Sequence, residues 1–435
     1  MKKMLCISYY WPPAGGPGAQ RIVKFAKYLP DFGWQPIVLT VKNGEFPYID
    51  ESLANDTETA KVIRTYSIEP FQFYKKMTGR KSSETLPVGL LTVKSQKPTE
   101  RIAGWMRSNL FVPDARVGWI PFAVRKGLSI IRRENIDAIF TSSPPHSLQL
   151  AGLWLKKLTG LPWIVDFRDP WTDIRYYQFS NRLRFAKKLD AYYERQVLQS
   201  ADHILTVSAD LVHKFQQKVR HVSSDRIHVM PNGFDVSDFQ HTVSVGSEKF
   251  TILHSGNILA HQNPTVLWKA LQHYIAEQPT FADQLEIRFI GRVHPAIVQS
   301  IHEYGLTNYT NVHGFIPHSE IIREMMAATI LLMVVPQTKS NLGIVTGKLF
   351  EYIGSGRPIL AIGPTNGDAA IILKPFPNSM VCDYYDTESC VSFIKQIYGD
   401  FQRGEVLESP TELRAPYSRV ELTWKLATIL DNAIH

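Results

Sequence analysis

Short runs of apolar and β-branched residues alternate along this chain with longer stretches whose apolar residues recur at helical spacing. An apolar run of four to eight residues bounded by turn residues reads as a buried strand, and alternation of such runs with amphipathic helices predicts parallel α/β sheets. In the first half the clearest strands fall at 4–9, 36–40, 138–141, 163–166 and 203–207, with helices over 19–29, 122–134, 147–158 and 182–200. The pattern then restarts. Strands are expected at 250–254, 285–290, 310–313, 330–335 and 358–361, with helices at 265–277, 296–304, 320–327 and 347–355. Two such series predict two doubly wound domains. Met230-Pro231-Asn232-Gly233-Phe234-Asp235 is turn chemistry throughout and marks the boundary, followed by the polar segment 237–249. Residues 42–120 fit no clean strand–helix unit, and a last helix is expected over 419–434.

Composition agrees with two folded domains. The chain has 435 residues, 44% hydrophobic and 20% charged, the balance of a globular protein with too many residues for one core to be expected. Cys6, Cys382 and Cys390 are widely spaced and read as reduced, buried thiols rather than a disulfide frame or zinc site. The apolar stretch 4–10 after Lys2-Lys3 is too short for a signal-peptide core, and no apolar run approaches a bilayer span. A cytoplasmic location is therefore expected, with membrane contact only at the surface. Charge sharpens that expectation. Residues 1–245 carry 34 Lys/Arg against 22 Asp/Glu, while residues 246–435 carry 14 against 18. A basic first half suits an anionic surface. Segment 71–111, with Phe71, Phe73, Lys75, Lys76, Arg80, Trp105 and Arg107, is the expected membrane-facing patch. No recognisable nucleic-acid motif accompanies the charge, so nucleic acid is not expected as a partner.

Several strand ends carry candidate chemistry. Pro12-Pro13-Ala14-Gly15-Gly16-Pro17-Gly18 leads from the first strand into a helix. Glycines there let backbone N–H groups at a helix N-terminus approach an anion. The loop is neither GxGxxG nor a Walker motif. Asp166-Phe167-Arg168-Asp169 puts three charges at another strand end, either a local ion pair or a cleft wall meeting a polar substrate. Ser142-Ser143-Pro144-Pro145-His146 ends a third strand, where His146 either packs or lines the cleft. In the second half, Gly347 and Lys348 open a helix and Glu351 lies three residues on, on the same face. A lysine there opposes the helix dipole unless an anion is shared. A diphosphate would resolve the conflict, with Glu351 reaching ribose hydroxyls. His254-Ser255-Gly256-Asn257 and Gly314-Phe315-Ile316-Pro317-His318 are further strand-end turns.

Taken in order, these features resemble the family 4 glycosyltransferases of the group 1 type, over nearly the whole chain. The carriers are Gly15-Gly16, Pro231-Asn232-Gly233, Ser255-Gly256, Gly314 to His318, and Lys348…Glu351-Tyr352 with Gly356-Arg357-Pro358. The resemblance implies the GT-B architecture, α/β with two Rossmann-like doubly wound domains facing across a cleft. It implies an acceptor-binding domain 1–235 joined by a returning helix 416–435, and a nucleotide-sugar-binding domain 245–415. It further implies retaining, metal-independent transfer of a sugar, hexosyl or N-acetylhexosaminyl, to a glycan or lipid-linked acceptor. No metal or cofactor is then expected, the sugar nucleotide being a substrate. By the same resemblance Gly15, Gly16, Ser255, Gly256, Asn257, Ile316, Gly347, Lys348 and Glu351 bind the donor. Glu351 holds ribose, Lys348 phosphate, and the Ile316 backbone the base. Arg168, Asp169 and His146 are the candidates for the catalytic side. Three positions depart from the family pattern: Gly343 stands eight before Glu351 where a second glutamate is usual; Asn257 and His261-Gln262 replace an arginine and a lysine; and Arg168 replaces a histidine. A guanidinium is no general base, so Arg168 is expected to bind phosphate or sugar hydroxyls. Other readings are a sugar-nucleotide epimerase or a phosphorylase-like enzyme on the same architecture, or a non-catalytic protein binding an anionic surface.

Overall fold

The computed structural model describes residues 1–46, 49–68, 104–106, 108–174, 182–219, 222–240, 248–338, 341–405 and 407–434. The membrane-facing patch expected within 71–111 lies outside these residues except for 104–106 and 108–111. The chain forms two compact units, Met1–Pro231 with Thr423–His435, and Asn232–Leu422.

Unit 1 is built from β1 (Lys2–Ile7), α1 (Pro17–Tyr28), β2 (Trp34–Val41), β3 (Lys61–Thr65), α2 (Ile120–Glu134), β4 (Ala138–Ser143), α3 (Ser147–Thr159), β5 (Trp163–Phe167), α4 (Arg184–Ser200), β6 (His203–Thr206), α5 (Ala209–Lys218) and β7 (Ile227–Val229). Its seven strands are parallel, in the order β3-β2-β1-β4-β5-β6-β7. The strand order reverses between β1 and β4, which opens a crevice at their carboxyl ends. The last helix of the chain completes this unit: Asp431 accepts from Lys2 Nζ at 2.8 Å and from Trp34 Nε1 at 3.0 Å.

Unit 2 repeats the plan with β8 (Phe250–Ser255), α6 (Thr265–Glu277), α7 (Pro279–Gln284), β9 (Leu285–Ile290), α8 (Pro295–Glu303), β10 (Thr310–His313), α9 (His318–Ala327), β11 (Ile330–Val334), α10 (Gly347–Ser355), β12 (Ile359–Ile362), α11 (Asp368–Leu373), β13 (Ser379–Cys382) and α12 (Thr387–Gln402). The sheet order is β10-β9-β8-β11-β12-β13, all parallel, with its reversal between β8 and β11. Successive residues of one strand feed opposite cores. Ile330, Leu332 and Val334 of β11 join Phe250, Leu267 and Ile394 on one face, while Leu331 and Met333 join Phe350, Ile353 and Ala369 on the other. Burial on both faces explains why the central strands read as unbroken apolar runs.

The structure places β3 inside the stretch 42–120 that yields no unit from its pattern. Lys61 and Arg64 are exposed and Val62 and Ile63 only half-buried, so this edge strand lacks the apolar run that reveals its neighbours. β7 and β13, also edges, go unread as well, although the edge strand β10 is read. Among the described residues no helix is long and apolar enough to cross a membrane.

Candidate functional site

In unit 2 the reversal point gathers Ser255, Gly256, Asn257, Gly347 and Lys348. β8 ends in Ser255 and hands over to Gly256, whose φ of +86° suits glycine. Gly291, at φ +125°, closes on it from the end of β9: a Cβ there would stand 2.7 Å from the Gly256 carbonyl carbon. Across this paired-glycine floor lies the side chain of Lys348, and a Cβ at Gly256 would meet Lys348 Cε at 2.7 Å. The ammonium donates to the Asn257 carbonyl at 3.3 Å and faces His254 Nε2 at 3.4 Å. His254 Nδ1 lies 2.9 Å from the Leu332 carbonyl. That contact requires the proton on Nδ1 and leaves Nε2 as acceptor toward the lysine. Burial pulls Lys348 down to about 8, against the opposing influence of Glu351.

Lys348 is the second residue of α10. The helix opens at Gly347 with Thr346 in extended conformation and making no side-chain cap bond. Backbone N–H groups and a cation therefore converge on one point with no anion supplied by the helix itself. Glu351, one turn on, is half-buried and stands 3.5 Å from His318 Nε2 at the start of α9. Ile316 lies in the loop leading to α9 and packs into the core cluster of that sheet face, while its neighbour Phe315 is 95% exposed. Ser255 behaves differently from the expectation. It is buried, its backbone N–H donates to the Tyr352 hydroxyl at 3.0 Å, and its Oγ lies 3.2 Å from the same oxygen. Its side chain therefore fixes α10 against β8 rather than facing a ligand. Asn257 Oδ1 accepts from the Arg292 backbone N–H at 3.2 Å, which occupies the side chain that replaces the family's arginine.

In unit 1 the corresponding reversal lies between β1 and β4. Gly16, at φ +91°, caps α1, and Pro17 takes the first helical position. Gly15 is hemmed in by Asp50, whose Cβ a side chain would meet at 2.7 Å. The Arg168 guanidinium sits against the first turn of α1: a Cβ on Gly18 would fall 1.8 Å from Nη1. Arg168 Nε donates to the Ser143 carbonyl at 3.1 Å and Nη2 to the Pro144 carbonyl at 2.6 Å. Another cation thus lies at a helix N-terminus, an arrangement suited to phosphate or sugar oxygens. Asp169 follows at the surface. The loop bearing both is anchored from below by Trp171, which donates to Asp190 Oδ1 at 2.7 Å.

Two sequence candidates in this unit are corrected. Asp166 is neither a cleft wall nor the partner of Arg168. It is fully buried and bidentately bound by Arg21, with Nε and Nη2 at 3.0 and 2.9 Å. His146 is 1% exposed, stacked on Trp171 at 5.2 Å, with Nδ1 3.2 Å from Ser143 Oγ and Nε2 without a hydrogen-bond partner. So enclosed a ring lines no cleft; it packs behind the loop that carries Arg168. Pattern reasoning missed Arg21 altogether. The signal was present: Arg21 interrupts the apolar face of α1 formed by Ala19, Ile22, Phe25 and Ala26, and a buried cation requires a buried anion.

Burial holds His146 and His254 at about 3, well below the ordinary histidine value, with Arg168 opposing the charge on the first and Lys348 on the second. Both rings stay neutral in the fold but bind a proton in the unfolded chain below about pH 6.5. The unfolded state therefore holds more protons in that window, so their contribution is complete above about 6.5 and is lost as pH falls toward 3. Each histidine sets a slope of at most about 1.4 kcal/mol per pH unit. Thermal melts between pH 7 and 4 should show the midpoint falling with acid, less steeply in His146→Gln. Parallel slopes for the two proteins would count against this account. Among the described residues no cluster of three or more His, Cys, Asp or Glu is placed to hold a metal ion.

Comparison with known proteins bears on both units. Residues 87–238 match the family described as Glycosyltransferase Family 4. No curated protein matches the sequence. Among solved structures the chain is similar to the sucrose-phosphate synthase of Thermosynechococcus elongatus, with a TM-score of 0.63 at 15% identity over 99% of each chain. It is similar to an α,α-trehalose-phosphate synthase (UDP-forming) from Burkholderia vietnamiensis, with a TM-score of 0.61 at 10% identity over 99% of this chain and 100% of that one. A glycosyltransferase involved in lipopolysaccharide biosynthesis aligns with a TM-score of 0.53 at 13% identity, over 98% of this chain and 99% of the other. The likeness is one of fold, and the fold is GT-B.

Proposed function

We propose that this chain, a glycosyltransferase of family 4, moves a sugar with retained anomeric configuration, and without a metal, from a nucleotide-sugar donor to a glycan or lipid-linked acceptor. The observation that carries the reading is the Lys348 ammonium held over Gly256 at the uncapped N-terminus of α10. A diphosphate placed there meets backbone N–H groups and a fixed cation, the preorganised electrostatics a departing nucleoside diphosphate needs. Glu351 lies one turn further along α10, a suitable distance for the ribose hydroxyls, and the Ile316 loop, reached through the Glu351–His318 contact, suits the base. Unit 1 takes the acceptor. There Gly16 and Arg168 receive sugar or phosphate oxygens, and Asp169 orients the attacking hydroxyl.

In the reaction the bond from the anomeric carbon to the diphosphate oxygen breaks as the acceptor oxygen bonds to the same face of that carbon. The acceptor proton passes to the leaving diphosphate, so no enzymic base is required. This agrees with a guanidinium, rather than an imidazole, at position 168. The named relatives support the choice of donor class: one synthase is UDP-forming, another makes a sugar phosphate ester, and a third acts in lipopolysaccharide biosynthesis. We assign the chain to cell-surface polysaccharide synthesis on the cytoplasmic side of the membrane; its basic first half supports the contact with an anionic surface.

A panel of UDP-, GDP- and dTDP-sugars followed by thermal shift identifies the donor, since a ligand at a hundred times its Kd stabilises by about 2.7 kcal/mol. With the stabilising donor, nucleoside diphosphate should appear only when an acceptor is present. Isomerisation of the donor sugar with no acceptor added would instead establish the epimerase reading.

A further inference from the structure

We infer that the outer face of α2, where it meets α3 in unit 1, is a binding groove for anionic phospholipid at the membrane surface; this rests on the proposed membrane-side location and says which surface makes the contact. α2 and α3 approach closely, and a Cβ at Gly127 would meet Leu155 Cδ1 at 2.8 Å. Beside that contact lies a shallow groove of about 790 Å³. Its floor is apolar, formed by Ile120, Val124 and Leu128, which pack inward on the unit 1 core but remain partly open outward. Trp154 of α3 stands at its rim, 54% exposed. Arg125, Arg132 and Arg133 complete the lining, and no acidic residue belongs to it.

All three arginines are exposed, and among the described residues none has an ion-pair partner. The nearest acid on the helix, Glu134, is held by Lys61 at 2.7 Å. The carbonyl end of α2 accounts for Arg132 and Arg133, but not for Arg125 near its start. Nor does it account for a half-exposed tryptophan beside an apolar floor. The occupant must bring negative charge and apolar surface together. A free phosphate leaves the floor wet, and an acidic peptide leaves the tryptophan so. A phospholipid surface satisfies both. Arginine stems lie along apolar surface while their heads reach lipid phosphates, and tryptophan settles at headgroup level.

The test is vesicle flotation with the full chain. The native protein should bind vesicles of phosphatidylglycerol mixed with phosphatidylcholine, should not bind pure phosphatidylcholine, and should lose affinity as salt rises. Replacing Arg125, Arg132 and Arg133 together by glutamine should weaken binding roughly a hundredfold, at about a fivefold loss for each basic residue near the surface. Trp154→Ser should weaken it with little change in salt dependence. Unaltered melting and donor-induced thermal shift certify that each variant is folded. If the native chain binds the anionic vesicles and the triple variant binds them equally, the groove is wrong while the membrane location stands. If the native chain binds no vesicle even at low salt, location and groove both fall, and donor turnover is untouched by either result. Binding to polyglutamate but not to vesicles would make the occupant an acidic peptide and overturn the inference.

Discussion

Lys348→Ala is expected to lower kcat/KM for the sugar-nucleotide donor by about 10²–10³-fold, the usual cost of removing one preorganised donor from a developing anion. The residue is well placed for such an effect. Its ammonium is partly desolvated, fixed by the Asn257 carbonyl at 3.3 Å, and stands at a helix N-terminus that offers no anion of its own. Stability should barely change, because a cation at that end of α10 opposes the helix dipole. Initial rates across donor concentrations, with a melt as control, check both halves. If the lysine acts mainly as the leaving group departs, kcat falls; if it binds ground state and transition state equally, only KM rises. The pH profile supplies a second readout. Burial brings Lys348 to about 8, so kcat/KM should fall as pH rises above about 8 and the free enzyme loses this charge. Lys348→Arg, always charged, should recover part of the rate and lose that alkaline limb. An alanine variant with undiminished donor turnover would remove the diphosphate from this site.

Arg21→Met carries the largest expected effect on stability. Arg21 and Asp166 are fully buried, paired at 2.9 and 3.0 Å, and Ser142 Oγ donates to the same carboxylate at 2.6 Å. Arg21 also donates to the carbonyls of Met230 and Pro231 at 2.9 and 2.7 Å. One side chain thus ties α1 to β5 and to the chain leaving β7. Methionine fills much of the volume but strands an ionised carboxylate and two carbonyls in the interior. Breaking a buried pair on one side costs about 3–5 kcal/mol, a fall of roughly 10 °C in the melting of a unit of this size. Replacing both partners, Arg21→Met with Asp166→Leu, should restore part of the loss, since the stranded charge then disappears. The coupling between the two substitutions in a double-mutant cycle measures it. A single variant melting within a degree or two of the native protein would show that water reaches this pair.

The parts of the site were visible to different degrees in the residues themselves. Lys348 and Glu351 are three apart on one helix, so their shared face follows from helix geometry alone. Gly256 and Gly16 sit where a strand ends before a helix or loop, and local backbone demands mark them. Arg168 could be assigned as a cation near a strand end. Its seat against Gly18, more than a hundred residues away in sequence, could not. His146 and Asp166 show the limit most plainly. Both stand at strand ends with polar neighbours, as site residues do, yet Trp171 covers one and Arg21 neutralises the other. Whether a polar side chain at such a place faces ligand or core depends on partners that the local pattern does not contain.

The alternation of apolar runs and amphipathic helices by itself determined the two parallel, doubly wound sheets and their interior strands, because a strand buried on both faces must be apolar throughout. It also determined the pairing of Lys348 with Glu351, a matter of 3.6 residues per turn. Only the tertiary structure decided the edge strands β3, β7 and β13, whose half-exposed faces carry no continuous apolar signal. It alone set Lys348 across Gly256 and His254, turned Ser255 and His146 inward, and joined Arg21 to Asp166. Those contacts link residues 25 to 145 positions apart, and such distances are closed by packing, not by any local preference of the chain.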